Sequence, residues 1–263
     1  MPSLEGAQAW LVRAEEHLTD LKNLCSPFTE AEVDAMIASI RLEFADEGGG
    51  WAYTRPAAPV PVSATVLTGE VIQALRRSLD YLIYELAWLD SGSEQADTQF
   101  PIDEWESTFE RRRQRKASKR GGVDHACFLV GISDQHAAAI KLLQPFRETD
   151  WTKTLGSISN LDKHRHLTVA KSQSSVSVSG WTVAANATDR EIIRAAPNAF
   201  TFSMNLGSSV PTRMHMKFHV TAYMSLEDGR DLIETLENLV AEVGSVLADF
   251  SPCFEGKCHH KSP

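Results

Sequence analysis

Apolar side chains recur every three or four residues from Gly69 to Leu89, at Ile72, Leu75, Leu79, Leu82, Leu86 and Leu89. This stripe predicts a long amphipathic helix that packs on another helix. Residues 4–24 carry the same spacing at Leu4, Ala7, Trp10, Leu11, Ala14, Leu18 and Leu21, and Pro27 is expected to end that helix. Thr29, followed by acids, suits a short restart. Helices are also expected over Ser133–Phe146, closed by Gln144-Pro145, and over Trp151–Leu167, with Leu155, Ile158 and Leu161 on one side. A last helix is expected over Leu226–Phe250, with Ile233, Leu236, Val240, Val243, Leu247 and Phe250 as its stripe and Ser225 and Asp228 at its start. Its long apolar face is expected to return to the Gly69–Leu89 helix.

Elsewhere the period is two. IRLEF, a glycine turn and WAYTR, within residues 39–56, predict a β-hairpin. VSVSGWTV, FTFSMNL and MHMKFHVTAYM, within residues 167–224, predict a small antiparallel sheet. Three prolines in Ala57–Ala64 mark a linker, and FPI at Phe100–Ile102 is expected to anchor the loop after the long helix. The fold class is therefore α+β: a helical bundle with an N-terminal β-hairpin and a small antiparallel sheet inserted before the C-terminal helix. One domain is expected over 1–250, with a helical core at 4–24, 69–90, 133–167 and 226–250, and a flexible tail over 251–263.

Composition bounds the function. A formal charge of −9 on 263 residues argues against a general coat for nucleic acid, which needs a cationic surface. No apolar run approaches the length of a membrane span, and acids occupy the N-terminal region where a signal peptide would be basic and apolar, so a cytoplasmic protein is expected. Cys25, Cys127, Cys253 and Cys258 are too few and too scattered for a disulfide framework, and reduced thiols are expected. No glycine-rich phosphate loop, nucleophile elbow or HExxH motif is present, and no cofactor or metal is expected.

The densest chemistry lies in NLDKHRHL, where Asn160, Asp162, Lys163, His164, Arg165 and His166 fall within seven residues. Histidine exchanges protons near neutrality and arginine or lysine holds phosphate, so His164, Arg165, Asp162 and His166 have the parts for phosphodiester cleavage. On a helix, Asn160 shares a face with His164, and Asp162 with His166. The structural reading is that the basic residues complement the helix dipole while Asn160 and Asp162 tie the helix to a neighbour. Arg76 and Asp80, with Asn160 and Lys163, are the candidate binding residues; an Arg76–Asp80 pair beside an apolar seam also reads as a half-buried salt bridge. Three weaker candidates are the 111–120 run RRRQRKASKR, the stripe Arg213, His215, Lys217 and His219, and the tail cysteines and histidines (Cys253, Cys258, His259, His260). Their plainer readings are a helix paired with the acids before it, a solvated sheet face and a disordered tail.

GEVIQALRRSLDYLIYELA, TQFPI, LLQPF and ISNLDKHRHL together resemble a widespread group of uncharacterised bacterial and phage-borne proteins. That group shares an LRxxLDH helix and an NxDKHR helix, and the resemblance covers about residues 69–170. Its helical part is similar in style to HEPN domains, helical bundles that include RNA-cutting toxins and defence proteins. The resemblance implies RNA or a protein as partner, a homodimer formed through helices, and either a non-catalytic binding or defence-associated module or a metal-independent ribonuclease using Asn160–His166. The Arg-x4–6-His motif of HEPN ribonucleases is not well matched: Arg120 to His125 crosses glycines, and Arg213 to His219 lies in a strand-like run.

Overall fold

The computed structural model describes residues 1–39, 41–45, 48–52, 61–113, 128–164, 170–185, 191–196, 199–205, 212–226 and 228–256. Side chains are described for 1–27, 30, 31, 34, 61–113, 128–160, 223–226 and 228–256. The helices are α1 (Glu5–Ser39), α2 (Val62–Ser91), α3 (Glu106–Arg113), α4 (Asp134–Leu142), α5 (Asp150–His164) and α6 (Leu232–Phe254), and the described side chains belong mainly to this helical bundle. Backbone pairing joins β1 (Arg41–Ala45) to β2 (Gly48–Ala52). It also joins β3 (Ala170–Ala185), β6 (Thr212–Ser225), β5 (Ala199–Asn205) and β4 (Glu191–Ala196), in that order and antiparallel throughout.

The chain divides into two compact units. The first comprises Met1–Leu21, Thr65–Thr168 and Ile233–Pro263, and the second Lys22–Ala64 and Val169–Leu232. In the second unit the backbone pairings are accompanied by a buried contact of 3.4 Å between Cys25 Sγ and Met224 Sδ.

In the first unit α2 is the central helix. Ile72, Leu75, Leu79, Leu82 and Leu86 of the expected stripe are fully buried, and so are Val71 and Ile83 beside them. Burial on more than one side is why the helix holds together with few charged pairs: full burial of such side chains contributes about 1.5–3 kcal/mol each. α1 runs antiparallel to it. The Ser78 hydroxyl donates to the Ala7 carbonyl at 2.8 Å, the Ser3 amide to Glu85 Oε2 at 2.9 Å, and the Arg77 guanidinium lies 4.6 Å from the Trp10 ring centre. A Cβ on Gly6 at this crossing would stand 2.7 Å from Cδ1 of the exposed Tyr81, so that ring would have to shift. Gly244 of α6 faces Leu11 of α1 more loosely, since a Cβ there would stand 3.5 Å from Leu11 Cδ2, an ordinary contact.

Several helix limits depart from the sequence pattern. α1 does not stop at Pro27 but continues to Ser39. Pro27 and Asn23, whose carbonyl loses its amide partner, are both exposed, so water can satisfy that carbonyl. α2 begins at Val62, inside the expected linker, directly after Pro61, whose carbonyl accepts from the Ala64 amide. A proline at the first turn costs a helix nothing. α6 begins at Leu232 rather than Leu226 and runs to Phe254, so residues 251–254, expected in a flexible tail, are helical, with Cys253 buried. The intervening residues form a turn, in which Leu226 N–H bonds Arg230 O and Asp228 binds the Arg230 guanidinium at 2.5 Å. Asp228 is therefore engaged in that turn rather than as a cap, and the seam of α6 is set by Leu232, Leu236, Leu239, Val243, Val246 and Phe250.

The region after α2 is fastened by short elements. Phe100 is fully buried, as the FPI motif implies. Ser133 caps α4, its Oγ accepting from the His136 amide. α4 ends at Leu142, short of the expected Phe146, because Pro145 opens a separate single turn, Pro145–Arg147.

Candidate functional site

Arg76 and Asp80 lie one turn apart on α2 and face the segment that follows the helix. Arg76 Nη2 donates to the Phe100 carbonyl at 3.1 Å, and Asp80 Oδ1 accepts from the Phe100 amide at 2.9 Å. The two side chains thus hold both peptide groups of one buried residue. Their own separation is longer, 3.8 Å from Arg76 Nη2 to Asp80 Oδ1, so the expected salt bridge is secondary to the capture of Phe100. Arg76 Nη1 is buried without a hydrogen-bond partner among the described residues. Burial lowers the affinity of this guanidinium for its proton; Asp80 offsets part of that, and the charge of Arg112 adds to it.

Beside this clamp is a cavity of about 230 Å³ lined by Arg76, Gln99, Phe100, Ile102, Arg112, Phe128, Gly156, Ser159 and Asn160. α5 approaches its wall closely: a Cβ on Gly156 would stand 2.7 Å from Ile102 Cγ2. Arg112 of α3 is held from two sides, its Nε 2.8 Å from Asp103 Oδ1 and its guanidinium 4.2 Å from the centre of the Phe128 ring. Asp103 is itself positioned through its amide, which donates to Gln144 Oε1 at 3.1 Å. Burial raises the Asp103 pKa above the ordinary value, although Arg112 and Arg111 pull it down. Asn160 is exposed and also lines the cavity.

The structure therefore brings Arg76 and Asn160, two of the expected binding residues, to one cavity, with Asp80 engaged beside it on the Phe100 amide. Asp162, Lys163 and His164 continue the α5 backbone beyond Asn160, but their side chains lie outside the described ones, and Arg165 and His166 lie outside the described residues. Of the basic run, residues 114–120 lie outside them too, as do Arg120 and His125. The three arginines that close α3 are engaged: Arg111 with Thr108, Arg112 with Asp103 and Arg113 with Asp134. Arg213, His215, Lys217 and His219 fall in β6, where only the backbone is described.

A second polar centre carries no signal in the sequence pattern. At the C-terminal end of α2, Asp90 accepts from His136 Nδ1 at 2.8 Å and from the Ser133 amide at 2.7 Å. The His136 ring packs edge-on against Phe250 at 6.0 Å. Burial works to raise the Asp90 pKa, but the hydrogen bonds from His136 and Ser133 outweigh it and hold the carboxyl below its ordinary value. Both residues are largely buried, and the arrangement fixes α4 to α2. Lys141 adds a surface link from α4 to α3, bonding Glu106 at 2.6 Å and Glu110 at 2.7 Å.

Cys253 is disulfide-bonded and Cys25 is free and buried. The expectation of reduced thiols therefore holds at Cys25 and is corrected at Cys253, for spacing along the chain does not report which cysteines meet in space. Cys258, His259 and His260 lie outside the described residues. Among the described residues, no group of three or more His, Cys, Asp and Glu side chains is placed to hold a metal, and no helix is long and apolar enough to cross a membrane. Comparison with protein-family models, curated proteins and solved structures finds no match to this chain.

Proposed function

We propose that this chain is a non-catalytic binding module of the cytoplasm, an α+β protein whose HEPN-like bundle carries a β-hairpin and an inserted antiparallel sheet. Its recognition site on this reading is the Arg76–Asn160 cavity, open to RNA or a protein partner. The observation that supports it is the chemistry of the lining. Among the described residues, those that line the cavity include no histidine, carboxylate, lysine or cysteine. Its cations are arginines, which do not exchange protons near neutrality. Such a lining recognises and does not transfer protons. Association with defence, and dimer formation through helices, belong to the same reading through the HEPN resemblance.

The opposing reading is a metal-independent ribonuclease using Asn160, Asp162, His164, Arg165 and His166. Incubating the full chain with RNA, with and without EDTA, separates the two. Intact RNA in both conditions is the expected result. Cleavage that persists in EDTA and disappears in His164→Ala, with the fold retained by circular dichroism, would establish the ribonuclease instead.

A further inference from the structure

The Arg76–Asn160 cavity has a more specific chemical character than a general recognition surface. Its hydrogen-bonding capacity is dominated by donors that come from separate elements: Arg76 from α2, Arg112 from α3 and the Asn160 amide from α5. Two guanidiniums line it together, and the charge of Arg112 disfavours that of Arg76. One nitrogen, Arg76 Nη1, is buried with no hydrogen-bond partner among the described residues. Asp80 and Asp103 stand beside the two arginines, but Asp80 is held by the Phe100 amide and neither carboxylate lines the cavity. An anion placed between the arginines would give Nη1 an acceptor and remove the repulsion between the two charges.

We infer, building on the cavity's role as a recognition site, that it binds a terminal phosphate group, held by Arg76 and Arg112 and closed over by the Asn160 amide. Guanidinium forks match the oxygens of phosphate and carboxylate alike. Donors converging from three directions favour the tetrahedral group with several free oxygens over the planar one with two. The volume of about 230 Å³ is below the roughly 300–1,000 Å³ of cavities that enclose drug-sized ligands. It suits a group with a single attachment, a phosphate monoester, rather than a phosphodiester entered and left by a strand. The monoester can come from a free nucleotide or from the phosphorylated end of an RNA.

The test is titration of the full chain, by calorimetry and thermal denaturation, with inorganic phosphate, AMP, sodium acetate and two short RNAs of one sequence, one with a 5′-phosphate and one with a 5′-hydroxyl. Phosphate and AMP are expected to bind saturably and raise the melting temperature, with acetate far weaker. Arg112→Lys, which keeps the charge but loses the fork, is expected to weaken phosphate binding about tenfold. Asn160→Ala, at an exposed position, is expected to weaken it about fivefold with the unliganded melting temperature unchanged. Preference for the 5′-phosphorylated RNA identifies an RNA end as the source; binding of AMP with no distinction between the RNAs identifies a free nucleotide. No response to phosphate or AMP overturns the proposal, and so does a response that both variants leave unchanged. RNA cleavage by a chain that still binds phosphate defeats the non-catalytic reading alone, whereas a non-cleaving chain with no phosphate affinity defeats this proposal alone.

Discussion

Two carboxylates of α2, Asp80 and Asp90, do the same thing at first sight: each captures a backbone amide of a later segment, Phe100 in one case and Ser133 in the other. They differ in what surrounds the capture. At Asp90 the second partner is an imidazole, the ring is packed by Phe250, and the assembly is closed. At Asp80 the neighbouring arginine uses one nitrogen on Phe100 and, among the described residues, keeps another without a partner beside a cavity. A polar centre whose donors are consumed is a fastener. One that retains a buried donor next to open volume has capacity for a ligand, because the missing bond costs stability until something supplies it.

Mutation at the closed centre gives the largest expected effect. Asp90→Ala leaves the His136 ring and the Ser133 amide without their acceptor in a largely buried setting, and is expected to cost about 3 kcal/mol in chemical denaturation. A loss below about 1 kcal/mol would mean that the centre is no fastener. Asp80→Ala, at a more exposed carboxylate, should cost less, about 1.5 kcal/mol, and should loosen the Phe100 segment first, visible as faster amide exchange at Phe100. If Asp80→Ala proved the more damaging of the two, the contrast between the centres would be reversed. Gly131 leads into the Ser133 cap with φ +79°, and a Cβ there would stand 2.7 Å from Gln95 Cγ. Gly131→Ala is expected to cost about 1 kcal/mol through backbone strain.

The smallest effect is in pH dependence, where the carboxylates oppose one another. The folded-state pKa of Asp90 lies below its unfolded value, so its contribution is fully present above the ordinary carboxylate range and is lost as pH falls through the folded value. The pKa of Asp103 is raised by burial, so protonation on acidification favours the folded state. Asp90→Asn should therefore flatten the acid limb of the stability curve, and Asp103→Asn should steepen it. Denaturation midpoints measured from neutral to acid pH decide this, and identical limbs for the two variants would contradict the assignment.

The helical part of this architecture was legible where one local rule acted alone. The stripe from Ile72 to Leu86 is buried as its spacing implies, and FPI is anchored through Phe100. Where two local rules competed, the pattern misled. Pro27 is a helix breaker by its chemistry, yet α1 passes it at a place where both Pro27 and Asn23, whose carbonyl it deprives, are exposed. The Leu226 start assigned to α6 had a plausible cap, but Asp228 prefers Arg230 two residues on. Among candidate site residues, Arg76, Asp80 and Asn160 were visible because polar side chains beside an apolar seam stand out. Arg112 was hidden within a basic run, although it lines the same cavity as Arg76. Asp90 and His136 were invisible, since they meet across 46 residues and neither belongs to a local pattern.

The interleaving of the two units has a consequence for how the protein is made. The first unit draws on Met1–Leu21, Thr65–Thr168 and Ile233–Pro263, with Gly244 seated on Leu11. A chain emerging from the ribosome presents the Leu11 face of α1 long before α6 exists to cover it. Neither unit can close early in synthesis, because the second also needs residues up to Leu232. Unlike a string of sequential domains, which fold in turn from the N-terminus, this chain postpones its decisive contacts until α6 has been made. Its nascent form carries uncovered apolar surface until then.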